Sequence, residues 1–163
     1  MKTTSFIQLG KRKTQQDALV VSEPLFAVCA GVGGSDNGDV ASTIAVETLK
    51  GQITTGADFH NEIELIKTTQ DIQRKMYQLV LDKSDMQGGS TTLAMVYIAN
   101  KKATVAHIGD SRVYYYSINK NALWRTKDHS LVQSLFDQGH ISADEMNSHP
   151  MRNRITKALS AKD

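Results

Sequence analysis

The order of its apolar patterns constrains this chain most. Short Val-rich runs come first, two stretches of helical spacing follow, and short runs then return. Residues 18–22 and 25–30, split by Glu23-Pro24, read as paired, buried strands. From about Val40 the spacing turns helical, with Val40, Ile44, Ala45 and Leu49 on one face, and Phe59, Ile63, Ile66, Ile72, Met76 and Val80 predict a longer second helix with its own stripe to bury. Residues 90–99 and 103–108, rich in Thr, Val, Ile and Tyr, predict a hairpin turning at Asn100-Lys101-Lys102. Residues 113–118 and 122–125 extend that strand series through Asn119-Lys120-Asn121. Asp128 is placed to cap a helix carrying Leu131, Val132, Leu135 and Phe136 and ended by Gly139, while Ser142 and Glu145 form a capping box for a short helix that stops before His149-Pro150. Strands, two helices, strands and short helices make an α+β chain with a mostly antiparallel sheet rather than alternating βαβ units.

With 163 residues the chain is one domain, residues 1–163, large enough to bury a core without disulfides or a structural metal. Nineteen Lys and Arg against 17 Asp and Glu leave a net charge of +2 with the signs mixed, so neither nucleic acid nor a membrane surface is expected as a partner. The Lys11-Arg12-Lys13 run is the densest basic cluster. No apolar run nears the length of about 18 residues that a membrane span needs, and the first ten residues lack the apolar core of a secretory signal, so a cytoplasmic location is expected. Cys29, the single cysteine, follows Phe26, Ala27 and Val28 and reads as a small buried hydrophobe.

Three clusters place polar groups where strands meet tight loops, the position from which a rigid scaffold presents chemistry. They are residues 12–17 (Arg-Lys-Thr-Gln-Gln-Asp), 30–34 (Ala-Gly-Val-Gly-Gly) and 109–112 (Gly-Asp-Ser-Arg). Taken singly, each has a structural explanation: Asp17 as a turn acid, Asp110 and Arg112 as a pair across their own turn. The Gly-rich run has neither a P-loop ending nor dinucleotide spacing, and Asp36 and Asp39 lack the alternating oxygens and closing Glu of a calcium loop.

In this order the clusters resemble the metal-dependent protein phosphatases of the phosphatase 2C type, especially the compact bacterial ones. The resemblance runs through Arg12, Gln15, Gln16 and Asp17; residues 26–34; Gly88-Gly89-Ser90-Thr91-Thr92; residues 107–114, with His107 and the Gly109-Asp110-Ser111-Arg112 element; Thr126, Asp128, His129 and Ser130; and residues 149–159. It implies an antiparallel β-sandwich flanked by helices, with a site at one end. It also implies two or three Mn²⁺ or Mg²⁺ ions, hard cations suited to oxygen ligands, that activate a water for attack on a phosphoserine or phosphothreonine of a protein substrate. Carried over by position, Asp17 and the backbone carbonyl of Gly31 would be metal ligands, Asp110 would reach a third ion, and Arg12 would clamp the phosphate. Val32 stands where some members have a proposed acid, so that role has no candidate there.

Two departures limit the inference. Ala30 occupies the position of the family's bridging Asp, and two cations about 3.5–4 Å apart need an anionic bridge. The chain also stops at Asp163, before the family's Ser-Asp-Gly and late Asp-Asn segments, so the sandwich is expected to be incomplete at its C-terminal end. Weak or absent metal binding and little phosphatase activity are therefore expected of this chain. A second copy, or a separate C-terminal fragment, is expected to cover the unfinished face. The rival expectation is a non-catalytic phosphatase-like domain that binds phosphoproteins or regulates a partner.

Overall fold

The computed structural model describes residues 1–33, 37–82 and 89–161. Gly34, Ser35 and Asp36 of the Gly-rich loop, and Gly88 of the second glycine motif, lie outside the described residues. The element order follows the sequence pattern: β1 (Asp17–Ser22), β2 (Leu25–Ala30), α1 (Gly38–Thr54), α2 (Glu62–Asp82), β3 (Ser90–Thr91), β4 (Leu93–Ala99), β5 (Lys102–Ile108), β6 (Tyr114–Ser117), β7 (Ala122–Arg125), α3 (Leu131–Asp137), α4 (Ala143–Ser148) and β8 (Leu159–Ser160).

Four strands form one antiparallel sheet in the order β1-β2-β4-β5. Along β2, Leu25, Ala27 and Cys29 are buried whereas Val28 is 46% exposed. That alternation marks a sheet packed fully on one face only. On the packed face, Ala41, Ala45, Val46 and Leu49 of α1 and Ile72 and Met76 of α2 close over Val20, Leu25, Ala27, Cys29, Leu93, Met95 and Tyr97. Each large side chain buried there, such as Leu49 or Ile72, contributes about 1.5–3 kcal/mol. The other face, with Leu19, Val21, Phe26, Val28 and Val96, borders a cleft of about 750 Å³ whose far wall is the N-terminal stretch and residues 111–114.

Several expectations are corrected by the structure. Ile63 and Ile66 are 61% and 49% exposed, so the buried stripe of α2 begins at Thr68, and Phe59 precedes the helix, meeting Tyr97 edge-on. The β4–β5 turn has two residues, not three, because Asn100 and Lys101 both adopt left-handed φ (53° and 61°), a conformation that matches strand twist and lets pairing resume at Lys102. β6 and β7 do not extend the four-stranded sheet. The chain turns away at Gly109 (φ 98°), and they pair only with each other. Ser130, not Asp128, caps α3, accepting from the Gln133 amide. Both oxygens of Asp128 are instead held by Arg112, at 2.6 and 2.5 Å. The Ser142–Glu145 capping box on α4 is present as expected.

Candidate functional site

The ends of β1 and β2 meet where the chain enters and leaves the sheet. Asp17 is the register partner of Ala30. Directly paired residues project to the same face, with Cβ atoms about 4.5–5.5 Å apart, so the Ala30 methyl stands beside the Asp17 carboxylate. The Ala30 carbonyl is fully committed, accepting from the Thr92 amide at 2.9 Å and the Thr91 hydroxyl at 3.0 Å. Its amide donates to Thr92 Oγ1 at 3.2 Å.

Gly31 follows, bent back so that its amide donates to the Gln16 carbonyl at 2.9 Å. A Cβ on Gly31 would lie 2.6 Å from the Gly38 carbonyl carbon. Only glycine lets the loop return and start α1 directly above the strand end. The Gly31 carbonyl faces Arg12, whose Nη1 stands 3.5 Å away and also reaches Gln16 Oε1 at 3.4 Å. These contacts are long, and the guanidinium is exposed.

Thr92 joins this end of the sheet to the third cluster. Its hydroxyl lies 2.6 Å from Ser111 Oγ, and its methyl fills the space a Gly109 side chain would need, 2.6 Å from an ideal Cβ there. The turn that carries Asp110 is thereby tied to Ala30 through one threonine, with Asp110 itself exposed. Arg12, Asp17, Ala30, Gly31 and the Asp110 turn are thus linked at one end of the sheet by register and hydrogen bonds. The Asp110–Arg112 pair entertained from sequence does not form. Arg112 turns to Asp128, whose hydrogen bonds, with a smaller share from Tyr114, hold its guanidinium still more firmly protonated. Burial pushes the Cys29 thiol up to about 12, so it is inert.

The sequence motifs included Thr92, His107 and His129 without giving them work. A threonine after a glycine pair is a common strand start, and nothing local in the sequence shows that its hydroxyl splices two loops. As for a metal pair, the set contains one sheet-end carboxylate, one carbonyl and one carboxylate on a neighbouring turn. Among the described residues no three acidic, His or Cys side chains gather to hold an ion. Two closely spaced cations together need many oxygen ligands and a shared anion.

The antiparallel sheet backed by helices is a fold of the protein phosphatase 2C type. The protein phosphatase 2C family matches residues 2–134, and the chain belongs to that family. It is 35% identical over 144 residues to the Serine/threonine phosphatase stp of Listeria monocytogenes, covering 85% of this chain and 56% of that protein. The chain therefore spans little more than half the length of such relatives. Among solved structures it superposes on Serine/threonine phosphatase Stp1 from Staphylococcus aureus with a TM-score of 0.83 at 27% identity, over 94% of this chain and 63% of that one. It matches the catalytic domain of the serine threonine protein phosphatase PstP, solved with two manganese ions, with a TM-score of 0.79 at 27% identity, over 93% and 63%.

Proposed function

We propose that this chain is a serine/threonine protein phosphatase domain that recognises the phosphoryl group of a phosphoprotein through Arg12 but hydrolyses it poorly, because Ala30 stands where a bridging carboxylate is needed. The observation that carries this reading is the register pair Asp17–Ala30. An Asp at residue 30 would set two carboxylates side by side at the strand end. A methyl leaves Asp17 as the one carboxylate of that register pair, with Asp110 on the neighbouring turn. Mn²⁺ or Mg²⁺ is the ion such oxygen donors favour, and the manganese-bound relative supports that choice.

Arg12 suits the role of phosphate anchor. Its two contacts are weak, so little is lost when the guanidinium exchanges them for the shorter, charge-assisted bonds a phosphate offers. Fluorescence anisotropy with a phosphothreonine peptide tests this. Binding is expected without added metal and is expected to weaken about tenfold or more, some 1.4 kcal/mol, in Arg12→Ala. Turnover of the peptide with Mn²⁺ by the unaltered chain, at rates like those of active phosphatases, would contradict the reading. A purely non-catalytic binding domain is the second reading, favoured by the same Ala30. It is separated by the response of Ala30→Asp, which gives that domain no Mn²⁺-dependent turnover even with any downstream sequence attached.

A further inference from the structure

The Gly109–Asp110–Ser111 turn is pinned from two sides. Thr92 holds it from the link between β3 and β4, and His129 holds it from the stretch before α3. The Gly109 amide donates to His129 Nδ1 at 3.1 Å, and the His129 amide donates back to the Gly109 carbonyl at 2.9 Å. A backbone amide can only donate, so Nδ1 must be unprotonated and the ring neutral, with its proton on Nε2. The ring lies flat on His107, centroids 4.5 Å apart and planes 11° from parallel. His107 Nε2 is 2.7 Å from the Lys127 carbonyl, which can only accept, so that nitrogen carries a proton. His107 can take a second proton without losing this bond. His129 cannot take one without setting N–H against N–H at Gly109.

We propose that His129, stacked on His107, is a proton-gated latch: neutral, it holds the Asp110 turn against the residues preceding α3, and protonated, it releases that turn. As regulation of the phosphoryl site this rests on the function proposed above. The latch itself rests only on the hydrogen bonds and the stack. The charges around the ring favour the neutral, closed state. His107 faces it from β5 and Lys157 from the stretch before β8, both opposing a second positive charge, while Asp128, the neighbouring anion, is already engaged by Arg112 and Arg125. Burial, then His107, then Lys157 hold His129 below its ordinary value of 6.5. The folded state thus prefers the unprotonated ring. Its contribution is complete above 6.5 and is lost as pH falls from there through the lowered folded value.

Imidazole NMR together with amide hydrogen exchange, corrected for intrinsic rates, tests the latch on the intact chain. His129 is expected to titrate below 6.5 as the Nε2–H tautomer, and Gly109 protection is expected to fall about tenfold between about pH 7.5 and pH 5. His129→Asn, whose Oδ1 is bonded to Cγ as Nδ1 is and can accept the same N–H at any pH, is expected to keep Gly109 protected throughout. His107→Gln is expected to raise the His129 midpoint. A midpoint at or above 6.5, an Nδ1–H tautomer, or flat Gly109 protection in the unaltered protein would overturn the latch.

Phosphopeptide affinity over the same pH range tests the regulatory part. Because the phosphate itself titrates near pH 6, the comparison is with His129→Asn. A steeper loss in the unaltered protein supports regulation, and equal losses overturn it. No binding at either pH, with the exchange results as expected, speaks against the phosphoryl reading and not against the latch.

Discussion

Single residues govern the site through space as much as through charge. Gly109 holds φ 98° with no room for a Cβ beside Thr92, so Gly109→Ala meets both backbone strain and a clash. The expected cost is about 1–3 kcal/mol, read as a lowered urea midpoint with an unchanged slope. Thr92→Val keeps the volume but removes the hydroxyl that the Ala30 amide and Ser111 share. The expected loss is about 1–3 kcal/mol, with faster amide exchange at Ala30, while Thr92→Ser should recover most of it. No change in Thr92→Val would mean the splice between the two loops is incidental. Arg12, Asp17 and Gly31 could be picked out from the sequence because each belongs to a local motif. Thr92 and His129 could not, since their roles arise from partners 62 and 20 residues away in the chain.

The strands and helices were legible wherever local pattern and tertiary demand agreed. Leu49 fell on the helix face its periodicity assigned, Val20 and Ala27 lie buried in the strands expected there, and the Ser142–Glu145 box formed as its spacing predicts. The errors lie where a longer-range partner wins. Asp128 is two residues from the true cap because Arg112 claims its carboxylate, and Ile63 and Ile66 fit a helical stripe yet stay exposed. At α4, hydrogen bonds from the Ser142 amide and hydroxyl hold the Glu145 carboxyl below its ordinary 4.5. The folded state therefore prefers the ionised form, and the cap's contribution is present above 4.5 and lost as pH falls through the lowered folded value. Protection of the amides along residues 143–148, corrected for intrinsic exchange rates, should fall over that acid range. Glu145→Gln, which cannot ionise, should flatten the response, and an unchanged response would contradict the assignment.

At the scale of the whole molecule, one sheet face is sealed by α1 and α2 while the other borders an open cleft, with Val21 and Val28 at least 40% exposed. An apolar face of this kind should bind a hydrophobic dye at neutral pH without denaturant and draw copies together as concentration rises. Dye fluorescence no brighter than with a closed globular protein would argue against an open face. Among the described residues no helix is long and apolar enough to cross a membrane. On the function proposed above, the methyl group at residue 30 decides what the phosphoryl site can do. Calorimetric titration of Mn²⁺ into the unaltered protein and into Ala30→Asp tests this most directly. The restored carboxylate beside Asp17 is expected to tighten binding by about tenfold or more, equivalent to about 1.4 kcal/mol. Equal Mn²⁺ affinity in the two proteins would contradict it.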